Sequence, residues 1–481
     1  MRKILPLLFF VFTATLHAQT VSDYFENIRN NAAALTAFFS QMPKGGDLHH
    51  HYSGSIYAES FVESALAYDL AINRNTLEIS KEIPAGDTSW THFSSLVKEG
   101  TLFNYKQRLL RLWSARDYNP SDYPSHRQFF ESFGHFGLAS DYNIDKGLLE
   151  IKKRAQAENV SYIETMLQTI RCDKDIHELF FLNNTLRTFQ QQHSQVAVQN
   201  LLDSLYAVIQ KKNVAECATD FAKNLIEKLH TSLALDDSTF TMRYQAYVIR
   251  TMEPVQLFRN IIVAFEAAKS SPLIVGVNIV APEHYDVPMS DYWLQMQMFS
   301  YCHAKYPAVK YALHAGELTL GLVKPEDLTW HITSAVYDGK ANRIGHGVDI
   351  AYEKDAYTLL NYMSKNLIPV EINLFSNEFI LKVKEDRHPI MLYKNFNVPI
   401  VIGSDDAGVL RTNLTEQFVL LAKRYKQIKY ADIKQFVYNS IQYSFIKEPG
   451  VKQGLLRRLD KDFTTFEKMI VTLQKQAGYL P

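Results

Sequence analysis

The sequence predicts a (β/α)8 TIM barrel. Three observations lead there. Eight short apolar runs alternate with amphipathic helical patterns along the chain. Histidines and carboxylates recur just after four of those runs. With 481 residues, 47% of them hydrophobic, the chain can bury a large core and still carry insertions. Strands separated by helices pair in parallel through crossovers, and eight such units close into a barrel whose chemistry gathers at the strands' C-terminal ends.

The candidate strands lie near Gly46–His51, Val160–Leu167, Thr241–Arg250, Ile274–Ala281, Val309–His314, Asn342–Gly347, Ile368–Asn373 and Val398–Ser404. Helical patterns separate them, among them Val255–Lys269, Ser290–Lys305, Leu328–Asp338 and Lys354–Lys365. Ahead of the barrel, Phe25, Ile28, Ala32, Leu35 and Phe39 recur at helical spacing, so residues 19–42 read as one amphipathic helical extension. The main domain then runs over residues 43–481, with insertions at about 57–124 and 171–238. The second is mostly helical in pattern, at Leu201–Val208 and Phe221–Leu229. Either insertion could cover the barrel mouth or simply pack on its flank. The extension and the second insertion could also form a homodimer contact.

Arg2 and Lys3 precede an apolar run from Ile4 to about Leu16, and Ala18 follows as a cleavage-type residue. Residues 1–18 therefore read as a signal peptide, and the mature chain is expected to be secreted or periplasmic. The run is too short to span a bilayer, and no second one is long enough. Lys+Arg and Asp+Glu balance at 51 each, which leaves no electrostatic footprint for nucleic acid or an anionic membrane. A small neutral substrate fits better. Cys172, Cys217 and Cys302 read as buried free thiols, with one bridge, Cys172 to Cys217, left open in an oxidising compartment.

The chemistry starts at His49-His50-His51. Side chains alternate along a strand, so His49 and His51 share one face and can point inward at the barrel mouth. Two imidazoles at that spacing suit Zn2+ or a similar divalent ion. His314 ends the fifth strand as a natural third ligand. Glu317 lies three residues on, past Ala315 and Gly316, placed to handle protons rather than to bind metal. His346 sits between Gly345 and Gly347, as a fourth ligand or a base beside the ion. In Ser404-Asp405-Asp406, Asp405 is the remaining metal ligand and Asp406, on the outward turn, is placed to accept a hydrogen bond from substrate.

Taken together, Met42-Pro43-Lys44 ahead of Leu48-His49-His50-His51, His314-Ala315-Gly316-Glu317, Arg343-Ile344-Gly345-His346-Gly347 and Ser404-Asp405-Asp406 resemble the adenosine deaminase family. The export signal and the Met-Pro-Lys-Gly entry are most similar to its secreted branch, the adenosine deaminase-related growth factors. Tyr162-Ile163-Glu164 and Arg387-His388-Pro389 resemble that family's second strand and its approach to the last strand. The resemblance implies one Zn2+ held by His49, His51, His314 and Asp405. It implies that Glu317 donates a proton to purine N1, that His346 orients and helps deprotonate the attacking water, and that Asp406 contacts N7. The implied reaction converts adenosine or deoxyadenosine to inosine plus ammonia. Strand four offers no Lys for a carbamate bridging two metals, which favours a single ion.

Four positions depart from the family pattern. Ser53 stands where an acid usually meets the ribose hydroxyl. Ala281 stands where a Gly amide usually meets the purine; its own amide could still donate. Asn373-Leu374-Phe375 replaces a Cys-Pro pair, and Thr165-Met166 lacks an Arg. The insertion at 57–124 holds no Cys, so the disulfide-stapled insert of the extracellular branch is missing and a growth-factor role does not transfer. Two other readings stand beside this one: an amidohydrolase acting on another 6-aminopurine or amide, and a non-catalytic nucleoside- or surface-binding protein.

Overall fold

The structure is a computed structural model and describes residues 21–476. The apolar leader lies outside the described residues. Eight parallel strands form one sheet: β1 Gly45–His51, β2 Val160–Thr169, β3 Thr241–Ile249, β4 Ile274–Val280, β5 Lys310–Ala315, β6 Arg343–His346, β7 Val370–Ile372 and β8 Ile400–Ile402. Their order in the sheet is their order in the chain. The sheet closes just past β8, where His50 bridges Asp405 in parallel and the Asp405 amide donates to the His49 carbonyl at 2.9 Å. Thus the (β/α)8 barrel is present, with each strand within a few residues of its expected place.

The crossover helices bury apolar faces against the strands. Pro254–Ser270 buries Val255, Phe258, Ile261, Ile262 and Phe265 between β3 and β4. Every residue of β4 is buried, as a parallel strand covered on both faces requires. At about 1.5–3 kcal/mol for each large apolar side chain taken from water, such layers dominate the fold's stability. The helix after β4 begins at Asp286 rather than Ser290. Pro288 falls in its first turn, where a missing N–H costs nothing. Among the described residues, no helix is long and apolar enough to cross a membrane.

The N-terminal extension is two helices, not one. Residues 21–28 are helical, the chain turns, and a second helix runs Ala32–Gln41. Asn31 causes the break: its side chain accepts from the Ala34 amide at 3.1 Å and caps the new helix. The pair packs on its own chain. Phe38 meets Phe466 of the C-terminal helix Pro449–Gln476 at 5.0 Å between ring centroids, and Phe39 stacks on Phe418.

The first insertion holds the helix Ala58–Ala67, a small antiparallel sheet (71–73, 79–80 and 90–92) and two further helices. It runs on past residue 124 into the helix Ser125–Asp141, whose Phe129, Phe130 and Phe133 line the cavity at the barrel mouth. The second insertion is mostly helical, as expected, but Asp220–Glu227 is wound as a π-helix, a turn wider than the 3.6-residue spacing implies. Cys172 and Cys217 are bonded, with Cα atoms 5.4 Å apart. That corrects the expectation of three free thiols: the insertion folds back and brings side chains 45 residues apart into register. Cys302 alone is a buried free thiol.

Candidate active site

A cavity of about 310 Å³ opens at the C-terminal ends of the strands. His51, Ser53, Ala281, His314, Glu317, His346, Asp405 and Asp406 all line it. His49 lies just beneath, fully buried. Residues scattered from position 49 to 406 thus meet at one rim. Pleat alternation places His49 and His51 inward, with ring centroids 5.4 Å apart. His50 points the other way and bonds Thr165 of β2 at 2.9 Å.

Four nitrogens and one carboxylate form the centre. Nε2 of His51 and Nε2 of His314 are 3.2 Å apart. Asp405 Oδ1 lies 3.6 Å from His49 Nε2 and 3.5 Å from His51 Nε2. His346 Nε2 is 3.9 Å from Asp405 Oδ2. Two overlapping trios fit an ion by ligand-atom spacing: His49, His51 and Asp405, and His49, His314 and His346.

The donor set fits a divalent metal. His49 Nδ1 bonds Glu371 at 2.7 Å and His314 Nδ1 bonds Asn278 Oδ1 at 2.9 Å, so both rings turn Nε2 toward the centre. His49 Nε2 is buried with no hydrogen-bond partner. Burial holds His51 down to about 4 and His314 well below its ordinary range, and neutral imidazoles are what ligation requires. For His49, burial is outweighed by Asp405, Glu371 and Asp47, which draw positive charge to this spot.

A polar network inside the barrel holds these rings. Asn278 donates to Gln245, and Gln245 donates to Glu164. Arg343, fully buried, donates to Glu164 at 2.7 Å and to Glu371. Side chains of β4, β3, β2, β6 and β7 therefore connect His314 to His49. Outer partners of this kind set the tautomer and direction of ligating histidines. Sequence reading did not single out Asn278, Gln245 or Glu371. Each sits inside a strand as a polar residue among apolar ones, and that is the only local signal.

Glu317 is 7% exposed and its carboxyl is pushed well above the usual range, first by burial, then by Asp405 and Glu283. Its Oε1 is 3.8 Å from His346 Nδ1. Asp406 is also pushed up, by burial and by neighbouring Asp405. Gly54 leaves room for it: a Cβ there would fall 1.6 Å from Asp406 Oδ1.

Three non-glycine residues lining the cavity hold positive φ: Ala281 at 88°, His346 at 70° and Asp405 at 59°. Such conformations persist only where surroundings impose them, and they collect at functional sites. Glu283, missed from sequence, accepts from His331 Nδ1 at 2.6 Å and lies 3.4 Å from Arg250. Burial alone would raise its pKa; His331 and Arg250 bring it down to about 2.

Residues 222–462, half the chain, match the family model described as adenosine deaminase. An adenosine deaminase from Clostridium kluyveri is 30% identical over 181 residues, 37% of this chain and 47% of that protein. An aminodeoxyfutalosine deaminase from Streptomyces coelicolor is 31% identical over 138 residues, 28% of this chain and 33% of that one. The chain thus spans less than half the length of these curated relatives. Among solved structures, an amidohydrolase from Burkhoderia ambifaria with bound Zn superposes with a TM-score of 0.58 at 16% identity, covering 91% of this chain and 94% of the other. That likeness shows a shared fold.

Proposed function

We propose that this chain, which belongs to the adenosine deaminase family, is a hydrolytic deaminase converting adenosine or deoxyadenosine to inosine and ammonia with one Zn2+. The observation that carries this reading is the meeting of His49, His51, His314 and Asp405 beside a buried Glu317 whose carboxyl is pushed well above its usual range. His49, His51, His314 and Asp405 would hold the ion. When bound, Zn2+ supplies Lewis acidity that makes water nucleophilic near neutral pH.

The chain's own residues do the rest. Glu317 hands its proton to N1 of the purine as water's oxygen adds to C6, which neutralises the negative charge that would otherwise develop on that nitrogen. His346 orients the attacking oxygen. Asp406, its carboxyl pushed up by burial and by Asp405, donates to N7, and the Ala281 amide and Ser53 meet the base and the sugar. The proton released by the attacking water passes through the Glu317 carboxylate to the amino group, the C6–N bond breaks to release ammonia, and C6 keeps the oxygen as the carbonyl of inosine. Cavity walls from Phe129, Phe130, Phe133, Met166 and Tyr285 exclude water around the ring. Among the described residues no Lys or Arg lines the cavity, which favours a neutral nucleoside over a phosphorylated one.

Ser53 and Ala281 favour one second reading, the same chemistry on another 6-aminopurine. Export to the periplasm or medium is supported by Arg2-Lys3 with the apolar run after it and by the Cys172–Cys217 bond. The purified mature chain, assayed for metal content, is offered adenosine, deoxyadenosine and other 6-aminopurines, with ammonia and the ultraviolet shift to the 6-oxopurine as readouts. One zinc per chain and turnover of adenosine or deoxyadenosine are expected. Turnover of another aminopurine with both nucleosides inert selects the second reading; no turnover by the metal-loaded chain points to a binding protein.

A further inference from the structure

His346 differs from its neighbours in where its proton sits, and the reason lies two residues away. Ile390 donates its backbone N–H to His388 Nδ1 at 3.2 Å. A backbone amide can only donate, so this nitrogen holds a lone pair and the His388 proton is on Nε2. Nε2 lies 3.0 Å from the side-chain amide of Asn377, whose facing atom must therefore be the acceptor Oδ1. The amide's other end is then Nδ2, and it stands 3.0 Å from His346 Nδ1. Asn373 Nδ2 approaches the same nitrogen at 3.5 Å. His346 Nδ1 is thus an acceptor and its proton is on Nε2, facing Asp405. The assignment starts from a backbone N–H and needs no choice of amide orientation. All three side chains are at most 2% exposed, so water offers no competing partner.

We infer that Asn377 and His388 are positioning residues that hold His346 as the Nε2–H tautomer, making it a hydrogen-bond donor at the reaction centre rather than a metal ligand or a base. His49 and His314 are set the opposite way, because Glu371 and Asn278 take their Nδ1 protons. Spacing alone leaves His346 eligible as a ligand with His49 and His314; the hydrogen-bond direction excludes it. Donation from Nε2–H steadies negative charge on the oxygen that adds to C6. This amends the expectation that His346 takes water's proton. The inference borrows its chemical meaning from the deaminase reading, but the position of the proton does not depend on it.

The test is made on the zinc-loaded mature chain with 15N-labelled histidine, by long-range 1H–15N correlation, which tells a protonated imidazole nitrogen from a bare one. Wild type is expected to show His346 with Nε2–H and bare Nδ1. In Asn377→Asp a carboxylate faces both rings, the His346 proton moves to Nδ1, and kcat falls roughly tenfold to a hundredfold with KM little changed. His388→Gln keeps a donor toward Asn377 and is expected to keep the wild-type tautomer and most of kcat. Should Asn377→Asp fail to fold, His388→Leu breaks the relay one step further out with the same readout. A wild-type His346 with its proton on Nδ1, or an unchanged tautomer in both disruptive variants, overturns the inference. An inert enzyme whose His346 carries Nε2–H would sink the deaminase reading and leave this one standing.

Discussion

Glu283 holds Glu317 by its backbone. The Glu283 carboxylate accepts the Glu317 amide at 3.0 Å through one oxygen and the Gly316 amide at 3.1 Å through the other. Arg250 sits against the same carboxylate and donates to the His314 carbonyl at 2.6 Å. One buried anion therefore orients the whole His314–Glu317 turn, and its charge, after burial and Asp405, helps push the Glu317 carboxyl up.

Glu283→Gln is expected to act twice. Removing one partner of a buried pair costs about 3–5 kcal/mol, because Arg250 is left uncompensated. The melting temperature falls accordingly. With one repelling charge gone, the Glu317 pKa also drops. In the proposed mechanism Glu317 works protonated, so activity should be lost as pH rises through that pKa, and the alkaline limb of the kcat profile should move to lower pH. A lower melting point with an unmoved limb would reduce Glu283 to an anchor.

Glu317→Gln keeps the size of the side chain and a donor toward N1 but has no proton to give. General acid catalysis contributes about a hundredfold to ten-thousandfold, and kcat should fall by that much with zinc content and melting temperature near wild type. Steady-state kinetics beside metal analysis decide it. Unchanged turnover would remove Glu317 from the chemistry.

What the sequence disclosed follows a physical divide. His49, His51, His314, Glu317, His346, Asp405 and Asp406 announce themselves because reactive side chains at strand ends break an apolar pattern. The strands were legible for the same reason, since parallel strands are continuous apolar runs. The supporting residues were not. Glu371 is the second residue of a three-residue strand, and its meaning comes from Arg343 and His49, far away in the chain. Asn377 and His388 gain theirs only from each other. Asn31, by contrast, was readable as a cap, but the apolar spacing on either side of it masked the break.

Ala281 should tolerate Gly better than Ala. Its φ of 88° places a Cβ where L-residues are strained, by about 1–2 kcal/mol. Glycine removes that strain, and the entropy it adds to the unfolded chain takes back roughly 0.4–1 kcal/mol. The net effect lies between about zero and 1.6 kcal/mol of stabilisation, seen as a rise of up to a few degrees in thermal melting. The same change clears a methyl from the cavity wall. KM for adenosine should fall, and a rise would mean that the methyl packs against the base.

The Cys172–Cys217 bond predicts an unequal thiol count. Unfolded without reductant, the chain should expose one reactive thiol, Cys302; with reductant, three. The bond closes a loop 45 residues long, and the chain-entropy relation gives about 4 kcal/mol for a loop of that length. Cys172→Ser should therefore melt well below wild type, and adding reductant to wild type should lower its melting point toward that of the variant. Three reactive thiols in the non-reduced, freshly isolated chain would show that the two sulfurs are apart in the native protein, and would remove one of the two supports for export.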